Sequence, residues 1–140
     1  MQLIHVTSPA AHPCEKALAH RRDVSVFVVD DDAWVGDSLG ALLDAFGYKT
    51  LTYGSGPEFL TDKRRHYPGC LVIDQHMPGM AGLDVVAALQ REGARVPSIL
   101  ITGRLDPGIV ERASALEVSA ILEKPFPVTR LVEAIEAALA

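Results

Sequence analysis

Between Cys70 and Leu83 the chain runs Cys-Leu-Val-Ile-Asp-Gln-His-Met-Pro-Gly-Met-Ala-Gly-Leu, an apolar run that stops at a carboxylate and passes through a Pro/Gly-rich loop into a new apolar-periodic segment. The run is too short for a helix and is followed by turn residues, so it reads as a buried strand. Asp74 then stands where a strand leaves its sheet. In open α/β sheets ligands bind at that edge. Taken alone, Asp74 could equally cap a loop or start a turn. Other strand-like runs of the chain also end in polar groups, and that favours the edge reading.

Val24 to Val29 is β-branched and aromatic, as expected of a strand buried on both faces, and it ends in Asp30-Asp31-Asp32. Three adjacent carboxylates repel one another unless a cation sits among them. They would also suit the N-terminus of the helix that follows. Val35, Leu39, Leu42, Leu43 and Phe46 recur at helical spacing up to Gly47. A second strand is expected over Tyr48 to Tyr53. Gly54-Ser55-Gly56-Pro57-Glu58 only weakly resembles a phosphate loop, because the third glycine and the lysine are missing. It fits a helix start better, with Ser55 and Glu58 as a capping box and proline in the first turn. Phe59 and Leu60 begin that helix's buried face, and Lys63-Arg64-Arg65-His66 are expected to close it with cations.

After Asp74, the residues Leu83, Val86, Ala87 and Gln90 follow at helical spacing, with Leu89 on the flank, until Gly93. Val96 to Ile101 is a fourth strand, ending at Thr102-Gly103. Asp106-Pro107 starts a helix with Ile109, Val110 and Ala113 inward. Ala120 to Glu123 is a fifth short strand, ending at Lys124-Pro125-Phe126-Pro127. A last helix runs from Val128, with Leu131, Val132, Ile135, Ala138 and Leu139 apolar. Strands alternating with helices imply a parallel sheet with right-handed crossovers and helices on both faces. All strand ends then share one edge, which collects Asp30, Asp31, Asp32, Asp74, Thr102 and Lys124.

Those residue types suit phosphoryl transfer. A carboxylate can attack phosphorus to form an aspartyl phosphate. The reaction otherwise needs positioning and neutralised charge. Mg²⁺ suits one or two carboxylates plus phosphate oxygens, which Asp31 and Asp74 could offer. Lys124 is a point charge for a phosphoryl oxygen, and Thr102 can donate one hydrogen bond to it. An ordinary salt bridge from Lys124 to the acidic cluster is compatible with that role.

Composition agrees with one ordinary globular domain: 140 residues, 49% hydrophobic, 22% charged and a net charge of −5. Arg21-Arg22 and Lys63-Arg64-Arg65 are short basic runs, read as solvated surface, so no direct nucleic-acid contact is expected. No apolar run reaches the roughly 18–20 residues of a membrane span. The start shows no secretory signal, and a cytoplasmic location follows as the expectation. Cys14 and Cys70 form no metal or redox spacing and read as free thiols. Residues 1–23 are expected to be an extension, with a short helix possible over Pro13 to Arg22, and residues 24–140 to be the domain.

Val28-Val29-Asp30-Asp31-Asp32, Leu71 to Gly82, Ile101-Thr102-Gly103 and Glu123-Lys124-Pro125-Phe126 together resemble the signature set of bacterial two-component response-regulator receiver domains. The Met-Pro-Gly-Met-x-Gly loop and the Glu-Lys-Pro-Phe ending most resemble the FixJ-type subgroup. The resemblance runs from Val24 to the C-terminus. It implies a flavodoxin-like (βα)5 three-layer sandwich with a parallel five-stranded sheet of order 2-1-3-4-5. It implies Asp74 as acceptor of a phosphoryl group from a sensor histidine kinase, a phosphotransfer protein or a small phosphodonor. Asp31 would bind Mg²⁺ (or Mn²⁺) directly and Asp30 through water, with Asp74 and the His76 backbone carbonyl as further ligands. Thr102 and Lys124 would read the phosphoryl group, and the Lys124-Pro125 bond would be cis.

Three departures from the family pattern stand out. Ile121 replaces an aromatic that usually moves with Thr102. Glu117 stands where the family commonly has glycine, so the fourth helix is expected to end differently. His76, Gly103 and Arg104 occupy variable positions that tune phosphoryl lifetime, with His76 and Arg104 expected to alter access of the attacking water.

Nothing after Ala140 supplies an output domain, so the expected reading is a stand-alone receiver or part of a longer regulator. A partner protein would then read the switch on the helix 4, strand 5 and helix 5 face, with a homodimer through that face possible. Such a chain would not be an enzyme beyond its own phosphorylation and dephosphorylation. One alternative is a degenerate receiver that only binds protein. The other is an aspartate-nucleophile phosphatase of the haloacid-dehalogenase type, using Asp30-x-Asp32. The short chain, without a cap domain or a later acidic pair after Lys124, argues against the latter.

Overall fold

The computed structural model describes residues 23–140. The expectations for Cys14 and for a helix over Pro13 to Arg22 fall outside that range. Strands β1 (Ser25–Val29), β2 (Lys49–Tyr53), β3 (Gly69–Asp74), β4 (Ser98–Thr102) and β5 (Ala120–Glu123) alternate with helices α1 (Ala33–Ala45), α2 (Gly56–Thr61), α3 (Gly82–Arg91), α4 (Pro107–Ala115) and α5 (Val128–Leu139). All pairings are parallel and the sheet order is β2-β1-β3-β4-β5. This is the flavodoxin-like order expected from the sequence.

The three central strands, β1, β3 and β4, bury both faces, whereas the edge strands β2 and β5 are partly exposed, and alternate residues feed two cores. Val26, Val28, Cys70, Val72, Ile99 and Ile101 face Leu43 of α1 and Leu131, Val132 and Ile135 of α5. Phe27, Val29, Leu71, Ile73 and Leu100 face Phe59 of α2, Leu83, Val85, Val86 and Leu89 of α3, and Ile109 and Ala113 of α4. The period of two in the strands thus becomes a three-layer sandwich. Phe59 is the hub of the second core, with ring centroids 5.5 Å from Phe27 and 5.3 Å from Tyr53. Burying such a ring contributes roughly 1.5–3 kcal/mol.

Several helix faces differ from the sequence expectation. α1 meets the sheet through Gly36, Gly40 and Leu43, whereas Leu42 is exposed. The glycines let the helix lie close: a Cβ on Gly40 would stand 3.2 Å from Thr52 Cγ2. On α4, Val110 is exposed and only Ile109 and Ala113 are buried. On α3, Leu89 is fully inside, and Val85 joins it. The cations at Lys63–His66 do not extend α2. They form a separate 3₁₀ turn capped by Asp62, although Arg65 Nε still donates to the Leu60 carbonyl at 2.7 Å.

The helix starts follow local chemistry. Ser55 accepts the Glu58 N–H at 3.1 Å, and the Glu58 carboxylate reaches back to the Gly54 N–H at 3.3 Å, one residue beyond the usual box. Asp106 accepts the Ile109 N–H at 2.9 Å at the start of α4. That helix ends with Glu117 at φ 57°. A non-glycine residue therefore takes the left-handed position, and the helix does not find a different ending. The cost is about 1–2 kcal/mol.

Candidate functional site

The strand register places β1, β3, β4 and β5 so that their last residues share one edge: Val29 pairs with Ile73, Asp74 with Ile101, and Thr102 with Glu123. Asp30, Asp74, Thr102 and Lys124 meet there as a consequence of topology.

The three adjacent carboxylates divide their tasks. Asp32 accepts the N–H groups of Trp34 at 3.0 Å and Val35 at 3.3 Å, which is the N-cap of α1. Asp30 is buried and accepts the Asp32 N–H at 2.9 Å. Asp31 is exposed. Carboxylate oxygens of Asp30, Asp31 and Asp74 all lie within 4.8 Å of one another. Burial pushes the Asp30 carboxyl above its ordinary range; the Asp32 N–H and Lys124 oppose this, while the charges of Asp74 and Asp31 add to it. An all-oxygen donor set with one unwillingly ionised member suits a hard divalent cation such as Mg²⁺ or Mn²⁺.

Asp74 is itself buried at the end of β3. Its Oδ1 lies 3.4 Å from the His76 backbone nitrogen. Its Oδ2 lies 3.7 Å from Lys124 Nζ, a long ion pair with a partly exposed ammonium. The backbone of Lys124 continues the sheet by donating to the Thr102 carbonyl at 2.9 Å, and the Lys124–Pro125 peptide is cis. Asp74 thus has both anionic neighbours, in Asp30 and Asp31, and a cationic one, in Lys124.

The loop after Asp74 is pinned from below. Gly82 packs on the Asp74 carbonyl so closely that a Cβ there would stand 2.6 Å from the oxygen. Gln75 holds the start of α3 twice: its carbonyl accepts the Gly82 N–H at 3.2 Å, and its side-chain Oε1 accepts the Leu83 N–H at 2.8 Å. Asp84 adds a bond from the Ala81 N–H at 3.0 Å. Sequence patterning does not identify Gln75 as a helix cap. The available signal is the lack of a capping side chain at Ala81-Gly82.

Thr102 is fully buried. Its hydroxyl contacts the Arg104 backbone and the His76 ring, with Nε2 at 2.9 Å. Gly103 and Arg104 are exposed at the rim. Ile121 pairs with Leu100 and packs, half-buried, against the core shared with α3 and α4.

Comparison with known proteins bears on the fold and the family. Residues 26–136 match the model of the response regulator receiver domain. The response regulator protein TodT of Pseudomonas putida is 35% identical over 133 residues, covering 94% of this chain and 59% of that protein. The transcriptional regulatory protein FixJ of Bradyrhizobium diazoefficiens is 33% identical over 114 residues, covering 81% of this chain and 56% of that protein. The chain thus spans less than two thirds of the length of these curated relatives. The crystal structure of FixJ-N superposes with a TM-score of 0.78 at 34% identity, over 84% of this chain and 94% of that one. A shared fold, the common edge of strand ends and a family match over most of its length lead to one conclusion: this chain belongs to the response-regulator receiver domain family.

Proposed function

We propose that this receiver is a phosphoacceptor in a two-component phosphorelay, with Asp74 as the acceptor and residues 24–140 as the working unit. The observation that carries the reading is the setting of Asp74 between two further carboxylates within 4.8 Å and an ammonium at 3.7 Å. One Asp74 carboxylate oxygen attacks the phosphorus of the donor. The new P–O bond forms as the bond to the leaving imidazole or acetate breaks, and the leaving group keeps the electron pair. Lys124 neutralises a phosphoryl oxygen and Thr102 donates to another.

Asp30, Asp31, Asp74 and the His76 carbonyl would hold the Mg²⁺ or Mn²⁺. A bound divalent ion supplies charge neutralisation between the acidic cluster and the incoming phosphate. Asp30 gains most from it, since its burial already disfavours the unpaired anion. His76 stands next to Asp74 and Thr102, and Gly103 and Arg104 follow Thr102 at the exposed rim, and we assign the three to tuning the lifetime of the acyl phosphate.

The phosphoryl donor is a sensor histidine kinase, a phosphotransfer protein or a small acyl phosphate. Phosphorylation biases a two-state loop, and a partner protein reads it on the surface of α4, β5 and α5; Val110 of α4 and Leu105 of the loop before it are exposed apolar residues. The same face could pair two copies. We assign it a cytoplasmic signalling role without a second enzymatic activity; among the described residues no helix is long and apolar enough to cross a membrane. Incubation with Mg²⁺ and acetyl phosphate, followed by intact-protein mass spectrometry, tests the proposal. One phosphoryl group is expected on the wild type and none on Asp74→Asn. Equal uptake by both refutes it. No uptake from any donor leaves the alternative, a receiver that binds protein without being phosphorylated.

A further inference from the structure

The hydroxyl of Thr102 spends its hydrogen-bonding capacity away from Asp74. The Arg104 N–H donates to it at 3.1 Å, and it donates to the Arg104 carbonyl at 2.9 Å. A hydroxyl has one proton and two lone pairs, so one lone pair remains. His76 Nε2 stands 2.9 Å from the same oxygen. With the hydroxyl proton on the Arg104 carbonyl, the imidazole must be the donor, which assigns its hydrogen to Nε2.

The backbone of Thr102 cannot easily move, because its carbonyl takes the Lys124 N–H at 2.9 Å and its Cα is in register with Glu123. Any turn of the hydroxyl toward Asp74 therefore comes from side-chain rotation together with the following loop. That loop begins at the exposed Gly103, around whose Cα a Cβ would meet nothing within 4 Å, so packing at that point does not oppose a rotation. Thr102 and Arg104 are tied to each other and can move as one unit. His76 is the contact that reaches the Thr102 hydroxyl from outside that unit, linking it to the loop after β3, while the Leu105 N–H is held separately by Glu123 at 3.2 Å.

We propose that His76 is a positioning residue that holds the Thr102 hydroxyl in its resting orientation, so that the His76–Thr102 contact must break before Thr102 can donate to a phosphoryl oxygen on Asp74. The inference rests on the phosphoacceptor reading above. It differs from control of water access, because it acts on the equilibrium between resting and activated forms. A contact made in only one of two states biases them by its own energy. One net hydrogen bond corresponds to about two- to tenfold in that equilibrium.

The test uses beryllofluoride, a tetrahedral phosphoryl mimic, titrated into the full chain in excess Mg²⁺. Binding is followed by Trp34 fluorescence and by the amide resonances of Thr102, Gly103 and Arg104. His76→Ala is expected to bind about two- to tenfold more tightly than wild type. Its unliganded Gly103 and Arg104 amides are expected to lie part-way toward the bound positions. His76→Gln, which restores an N–H donor on a side chain of similar reach, is expected to return both readouts toward wild type. Unchanged or weaker binding by His76→Ala overturns the inference, as does equal tightening by Ala and Gln. If wild type gives no response, or Asp74→Asn responds like wild type, the phosphoacceptor reading fails and the inference falls with it.

Discussion

Replacing Gly82 by alanine adds one methyl group at the most crowded backbone contact of the site. The new Cβ would stand 2.6 Å from the Asp74 carbonyl oxygen, and 3.1 Å from both its carbon and Gln75 Cα. All three atoms are backbone, so no flexible side chain can yield. Relief requires sliding α3 away from β3 by a fraction of an ångström. That slide strains the two bonds by which Gln75 holds the helix start, at 3.2 Å and 2.8 Å. Overpacking of this kind costs about 1–3 kcal/mol, whereas helix propensity returns at most about 1 kcal/mol for glycine to alanine. The net expectation is a loss of about 1–2 kcal/mol. Urea denaturation measures it, with Gly103→Ala as control, since a Cβ there meets nothing within 4 Å. Because the strained carbonyl belongs to Asp74, the rate of phosphorylation by acetyl phosphate is expected to fall in the same variant. A Gly82→Ala protein as stable as Gly103→Ala and phosphorylated at the wild-type rate would show that α3 yields at no cost and that the contact does not set the position of Asp74.

Other expectations follow from single groups. The folded state holds Asp30 above its ordinary value of 3.8, so it binds a proton more readily than the unfolded chain. Without a divalent ion, stability attributable to Asp30 therefore falls as pH rises from that value through the raised one. In the presence of a chelator, Asp30→Asn should melt higher than wild type at neutral pH, with the gap closing on acidification; a lower melting point at neutral pH contradicts this. Glu117→Gly should stabilise the fold by about 0.5–1 kcal/mol, the left-handed strain relieved less the entropy that glycine loses; a less stable variant in urea would count against strain at φ 57°. Burial pushes the Cys70 thiol up to about 12, so in a Cys14→Ser background it should react with a thiol reagent only on unfolding. Rapid reaction under native conditions would show that the sheet opens.

Much of this fold is written plainly in the chain. Each strand's apolar run stops where the sheet meets solvent, so the amino-acid pattern alone puts Asp30, Asp74, Thr102 and Lys124 on one edge. The helix faces are harder to read. α1 rests on Gly36 and Gly40, and glycine carries no hydrophobic signal. Leu42 and Val110 look like core residues by type, yet both lie outside it. The buried face of α3 is centred elsewhere than the spacing suggests: Val85 and Leu89 join Leu83 and Val86 inside, while Ala87 is only half-buried and Gln90 is exposed. Cations such as those of Lys63–His66 favour helix ends in general, but Asp62 caps a separate turn there.

Within the site, residue types are legible and their connections are not. Three consecutive aspartates offer the same chemistry on paper. Only the turn after β1 commits Asp32 to a helix cap and leaves Asp30 and Asp31 facing Asp74. The Gln75 cap and the His76–Thr102 contact join residues on different elements, across loops whose path depends on the whole sheet. Glu117 shows the opposite case: the expectation of a different helix ending rests on local strain, yet the chain takes the left-handed turn and closes the helix with bonds from the Glu117 N–H to the Ser114 carbonyl and from the Val118 N–H to the Ala113 carbonyl, both at 3.0 Å.

Whether Asp74 is the acceptor is decided by locating the phosphoryl group chemically. Borohydride reduces an aspartyl phosphate to homoserine, marking the acceptor in a form that survives proteolysis. After reaction with Mg²⁺ and acetyl phosphate, tandem mass spectrometry of the reduced protein is expected to find homoserine at position 74 alone. Homoserine at position 30, with Asp74 unmodified, would contradict the assignment and make the end of β1, not β3, the place where the chemistry happens.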